Sequence, residues 1–283
     1  MNAGARQSER VAGAVDSALH AAWADLRTFF TEGYPALERA LEAFRRAEIG
    51  VRRSGDASAL TLWLLGVSAA FQFVRRPEAA ETALERAREL VNLVVRTQEE
   101  RASVPYRVRV EECHRDLADV VPADAGRAVA DGLEYAERTL RLAKEAARDD
   151  WLAASLASRA DLLARNAGGD RRAAKRAVAL FDDAKARWPA RDASGRAQLA
   201  LRHAAALLSA GDPARAEMLV REALPHFERD RDRYHEATGR WLLARALYAL
   251  DRTEALDEQA AAVATFRALG TQWELRRAER AFE

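Results

Sequence analysis

The chain has 283 residues, room for one elongated domain or two compact ones, and its 45 Lys+Arg against 44 Asp+Glu leave a formal charge of +1. So close a balance excludes a whole-chain electrostatic footprint for nucleic acid and leaves only a local patch for that role. The single cysteine, Cys113, excludes an internal disulfide and fits a reducing compartment.

Residues 1–23, MNAGARQSERVAGAVDSALHAAW, lack an apolar run behind a basic start, so no secretory signal is expected. Ala40-x3-Phe44-x2-Ala47 has the spacing of a helix with a small-residue inner face. The longest apolar run, ALTLWLLGVSAAFQFV (59–74), reads as too short and too polar to span a bilayer. Inside it, Leu62, Leu65, Gly66 and Ala69 fall at helical spacing, and past Pro77 a second helix carries Ala80-x3-Leu84-x2-Ala87. In RASVPYRVRVEE (101–112), Val104, Tyr106, Val108 and Val110 alternate as in a strand. With no neighbouring strand to satisfy its backbone, Pro105 is read as a helix start instead.

Ala136-x3-Leu140-x2-Ala143 and Ala177-x3-Phe181-x2-Ala184 repeat the same inner face, the latter with Pro189 beyond it. AGDPARAEMLVREAL (210–224) is the most legible stretch. Gly211 suits a left-handed helix end, Asp212 an N-cap and Pro213 the first helical position. Ala216, Val220 and Ala223 then form the inner face of the helix that follows, opposite Ala200, Ala204 and Leu207. Leu243, Ala244 and Leu247 lead through Asp251-Arg252-Thr253 to Ala255. A last helix opens on Thr271-x2-Glu274, a capping-box pattern. Its expected inner face is Trp273, Leu275, Ala278 and Phe282, and its outer face Arg276, Arg277, Glu279 and Arg280.

The second-helix anchors Ala40, Ala80, Ala136, Ala177, Ala216 and Ala255 are spaced by 40, 56, 41, 39 and 39 residues. Helix–turn–helix units with a period near forty residues mean a helical solenoid. The expected fold is all-α: a right-handed α-solenoid of about six helix pairs closed by a capping helix at 271–283. The long spacing places an elongated helix or irregular connection at 96–132, between divergent repeats at 1–95 and more regular ones at 133–283.

Leu62/Leu65/Gly66/Ala69, Ala177/Phe181/Pro189 and the whole 200–224 unit resemble the tetratricopeptide-repeat pattern W-x2-L-G-x2-Y…A-x3-F…P. The helical grammar covers most of the chain and the detailed likeness 150–283, although the pattern's Trp and Tyr are mostly replaced. The ending ATFRALGTQWELRRAERAF is more loosely similar to the last repeat of sensor arrays in bacterial signalling regulators. The resemblance implies an extended concave surface that binds a partner.

Residues able to do chemistry are few and scattered. Neighbours on one helix, Cys113 and His114 point about 100° apart and cannot act as nucleophile and base. Cys113 shares an apolar stripe with Val110, Leu117 and Val120 and is expected to be buried. HEATG (235–239) lacks the second histidine of a zinc motif, His203 sits on a packed helix, and His226 and His235 flank a turn. No catalytic, cofactor-binding or metal residue is expected. The informative surplus is apolar: on each first helix, a second stripe beside the core stripe should face the concave side. The expected groove residues are Trp63, Val67 and Phe71, then Leu201 and Arg202, then Arg240, Trp241, Arg245 and Tyr248. Such a groove suits an apolar, partly acidic peptide or protein segment. The reading is a cytoplasmic, non-enzymatic adaptor or regulatory module with a protein or peptide partner and neither nucleic acid nor membrane. The alternative is a sensor that binds a small molecule or signalling peptide and controls a separate effector.

Overall fold

The computed structural model describes residues 3–280 and 282, with side chains from Val15 onward. Six antiparallel helix pairs follow one another: α1 (Ala3–Glu32) with α2 (Tyr34–Ser54), α3 (Ala57–Val74) with α4 (Pro77–Thr97), and α5 (Val104–Val120) with α6 (Ala125–Glu145). Then come α7 (Asp149–Asn166) with α8 (Arg171–Arg187), α9 (Ala193–Ala210) with α10 (Pro213–Asp230), and α11 (Arg233–Ala249) with α12 (Ala255–Leu269). A short α13 (Gln272–Glu279) ends the array. Among the described residues there is no strand; each helix packs chiefly on its chain neighbours, the arrangement of an all-α solenoid.

The boundaries have local causes. Five aspartates, Asp56, Asp170, Asp192, Asp212 and Asp232, each accept a backbone N–H of the first turn of the helix that follows, supplying a partner that the helix itself lacks. The 210–224 stretch behaves as read: Gly211 ends α9 at φ 80°, Asp212 accepts from Arg215 N at 3.2 Å, and Pro213 opens α10. Pro105 stands in the first turn of α5, so 104–110 is helical. Ala40, Ala80, Ala136, Ala177, Ala216 and Ala255 all lie on second helices and are buried.

The 96–132 stretch holds neither a long helix nor an irregular connection. It contains the end of α4, a 3-10 turn at Glu100–Ser103, the 17-residue α5, a second 3-10 turn at Pro122–Asp124 and the start of α6. About half of the extra spacing is register, since Ala80 is the fourth residue of α4 whereas Ala136 lies two turns further into α6; the rest comes from the two 3-10 turns that lengthen this unit. Among the described residues α3 is the one helix long and apolar enough to cross a bilayer, yet half of its 18 residues are buried within the array.

The last pair meets the first, a closure with no signal in the repeat pattern. Gly33, the single residue between α1 and α2, lies against the backbone of Leu269 at the end of α12. A Cβ there would clash with the Leu269 carbonyl oxygen, and φ +81° is a conformation that favours glycine. Thr31 Oγ1 donates to Arg231 O at 3.4 Å, and Arg233 Nη1 donates to Thr31 O at 3.4 Å. Beneath this seam Phe29, Phe30 and Phe73 interlock with Tyr234, and His235 stacks on Phe30 at 5.2 Å. One apolar core therefore runs from α1–α4 into Tyr234, Ala237, Phe266, Leu269, Leu275 and Ala278.

Candidate functional site

Closure turns the concave face into a lumen of about 550 Å³, lined by the first helices α3, α5, α7, α9 and α11, by α13, and by Phe266 of α12. That volume lies within the range of small-ligand pockets. A polar chain runs most of the way round its wall. Tyr234 on α11 donates to Glu274 Oε1 on α13 at 2.9 Å, and the same oxygen lies 3.4 Å from Arg75 Nε at the end of α3. Arg75 Nη1 pairs with Asp116 on α5 at 2.7 Å, and Asp116 with Arg115 at 2.9 Å. Arg115 reaches Asp161 on α7 at 3.0 Å, and Arg202 on α9 donates to the same carboxylate at 2.6 Å.

Charge in this wall is buried but compensated. Burial works to raise the Asp116 carboxyl, yet Arg115 and Arg75 outweigh it and hold it below its usual range. Burial raises the Glu274 carboxyl even against the pull of Arg75, and burial together with Glu274 raises the Tyr234 hydroxyl. Arg75 takes a left-handed backbone conformation, φ 52°, which a non-glycine residue adopts at some cost.

The polar chain stops between α9 and α11, where Trp and Arg alternate instead. The Arg245 guanidinium lies over the Trp241 ring at 5.4 Å, Arg277 over Trp241 at 4.6 Å and over Trp273 at 4.3 Å, and Arg75 over Trp273 at 5.0 Å. Arg75 has carboxylate partners; among the described residues Arg245 and Arg277 have none within ion-pair distance. Burial, reinforced by Arg165, lowers both guanidiniums, Arg277 to about 10. Apart from guanidinium nitrogens of Arg75 and Arg202 that lie beside carboxylates, two buried donors at the wall lack acceptors: the Trp241 indole N–H and the Gln72 amide N–H, whose Oε1 accepts from Arg109.

Four of the sequence-predicted groove residues, Leu201, Arg202, Trp241 and Arg245, meet in this lumen. The others do not. Trp63 and Val67 are core residues, 2% and 5% exposed, and the Trp63 indole donates to Phe44 O at 2.8 Å. Phe71 packs between two core clusters. The reason is that α3 carries apolar residues toward both the lumen and the preceding pair, and α1 also packs on it, so the stripe at Trp63 is claimed as core. Arg240 lies outside the lumen, paired with Glu228, Glu236 and Glu258. Tyr248 is exposed and stacks on Phe282 at 4.3 Å.

The last helix also differs from its reading. Thr271 caps nothing with its side chain and donates instead to Phe266 O, while Glu274 turns into the lumen rather than back to the helix start. Arg277, expected on the outer face, is the lumen cation between two indoles. The missed signal is a repeated spacing, Trp241-x3-Arg245 and Trp273-x3-Arg277, which puts each arginine one turn beyond a tryptophan on the same helix face. Residues 281 and 283 of the expected cap lie outside the described residues.

The remaining reactive side chains are structural. Cys113 is 1% exposed and burial pushes its thiol up to about 12. His114 and His203 are buried, and burial lowers each to about 4. Among the described residues no three His, Cys, Asp or Glu side chains converge as for a metal ion. A shallower depression of about 700 Å³ outside α3 and α4, lined by Leu60, Leu84, Arg88 and Leu93 among others, shows no comparable set of unpaired groups. No family model matches the chain, and no curated protein is found to be similar to it.

Proposed function

We propose that this chain is a tetratricopeptide-like receptor module: its lumen takes up a small molecule or the end of a short peptide, and occupancy is passed to a separate effector. The observation that carries this reading is the lumen itself, where the inner faces of five first helices and α13 converge with buried polar groups left unpaired. An adaptor that docks a folded protein along an open groove is less well supported. A stable protein interface needs about 800 Å² on each partner, and the contact of α1 with α11 closes the face that would supply it. The wall has charged and aromatic groups but no nucleophile set beside a base, so the reading is of binding rather than catalysis. The lone cysteine, buried and unpaired, accords with a cytoplasmic location.

The test is a thermal-shift screen of small molecules and short peptides against the full chain, followed by tryptophan fluorescence titration of any compound that stabilises. A ligand at about a hundred times its Kd should add about 2.7 kcal/mol of stability. It should bind less well to Trp241→Ser. Stabilisation only by folded proteins, with no compound or peptide effective, would return the adaptor reading to first place.

A further inference from the structure

We infer that the lumen's ligand is an oxyanion, a carboxylate or phosphate group on an apolar or aromatic body, and that Arg245 and Arg277 grip its charged end. The inference rests on the receptor reading and names the chemistry of that site. Around the wall the other arginines have neutralising partners: Arg75 with Asp116 and Glu274, Arg109 with Glu112, Arg115 with Asp116 and Asp161, Arg165 with Asp119, and Arg202 with Asp161. Arg245 and Arg277 are the exceptions among the described lumen residues, and they face the same indole, Trp241.

A guanidinium withdrawn from water without a counter-charge is a standing cost to the fold. The rings of Trp241 and Trp273 offset part of it through their negative faces. They cannot supply the in-plane hydrogen bonds that a guanidinium fork makes with an oxyanion. The depressed basicity of Arg277 reports the same shortfall. On the same lumen wall, the Trp241 indole N–H is buried without an acceptor, and the Gln72 amide N–H is likewise unanswered in a side chain 6% exposed. All four groups are donors and none of their unmet needs is for a donor. One anion with several oxygens answers the deficit, and a neutral ligand of the same shape does not. Phe73, Leu201, Leu242 and Phe266 line the same lumen and supply apolar surface for the rest of the molecule.

The experiment titrates the full chain with phenylacetate, phenyl phosphate and the neutral phenylacetamide, reading tryptophan fluorescence and melting temperature. At least one anion is expected to bind tenfold or more tightly than the amide, and which one does so separates a carboxylate site from a phosphate site. Arg277→Gln should weaken that anion tenfold or more, Arg245→Gln should weaken it in the same direction, and Arg221→Gln on the outer surface should leave it unchanged. Because Arg277→Gln removes a half-buried charge with no carboxylate partner among the described residues, the variant should melt at or above the parent while binding less, opposite to a merely structural arginine. Should Arg277→Gln fail to fold, Arg245→Gln decides the question alone. Equal binding of phenylacetamide, or full binding by both glutamine variants, overturns the oxyanion site and leaves the receptor reading standing. No binding by any probe at about 1 mM, a level at which even weak complexes form, overturns the oxyanion site, and the receptor reading falls only if the wider thermal-shift screen is empty as well.

Discussion

Two tryptophans on first helices, Trp63 on α3 and Trp241 on α11, separate the two ends of the array. Both sit at helical spacing on an apolar stripe, and both have arginines over the ring. At Trp63 the indole N–H is answered by the Phe44 carbonyl and the side chain is sealed in the core. At Trp241 the indole N–H is unanswered and the ring borders the lumen. The indole N–H of Trp23, on α1, is also unanswered but packs against the core, so what sets Trp241 apart is an unanswered donor on the lumen wall. A similar contrast divides the lumen arginines, most of them paired with carboxylates and two not.

The largest test of this contrast is Trp63→Ser. Emptying that core site and removing the indole's hydrogen bond to the Phe44 carbonyl should cost about 3–5 kcal/mol, measured by chemical denaturation. Parent-like stability would show that Trp63 is not core. A buried carboxylate gives the second test. Glu111 on α5 is fully buried with neither carboxyl oxygen hydrogen-bonded, and burial pushes its carboxyl from 4.5 up to about 7. Between those values the folded chain binds more protons than the unfolded one, so this group's contribution falls as pH rises through the window and is level above it. Glu111→Gln should therefore be the more stable protein at pH 8, by on the order of 2–3 kcal/mol, and nearly equal to the parent at pH 4. A difference independent of pH would contradict the burial of an ionisable group there.

The closure is tested by Gly33→Ala, which forces a Cβ into the Leu269 backbone at a left-handed position. A loss of about 1–3 kcal/mol is expected, with faster amide exchange in α1 and α12 than in α8. Exchange unchanged at the seam would mean that the array need not close. The smallest effect on folding belongs to Trp241→Ser, about 1 kcal/mol or less for a half-buried wall residue. Its cost should fall on ligand binding, about 2 kcal/mol. If Trp241→Ser and Trp63→Ser destabilise equally, the distinction between core and lumen tryptophans fails.

The parts of the fold legible in the chain are those with short-range causes. Asp212 caps because its own carboxylate reaches a backbone N–H three residues on, and Ala216, Val220 and Ala223 share a face because the helical period puts them there. The site was half legible. Leu201 and Trp241 border the lumen, although Leu201 is also part of the core. The stripe rule misplaced Trp63, because its ring turns toward α2, where the indole donates to Phe44 O, and it misplaced Arg277, because an exposed-looking arginine on a final helix reads as solvent-facing unless that helix folds inward. The Trp-x3-Arg spacing shared by α11 and α13 marks the pair without saying what the two helices face.

Helix starts and stops and the apolar stripe that carries Cys113 were set by the sequence by itself, since each depends on residues within one or two turns. Tertiary structure alone decided which apolar stripe becomes core and which becomes lumen, and that the array closes on itself. Those outcomes depend on small rotations between successive pairs that accumulate over the array, until Thr31 meets Arg233 some two hundred residues away. No local pattern records that sum, because each repeat satisfies its own packing over a range of rotations, and only the whole array determines where its two ends meet.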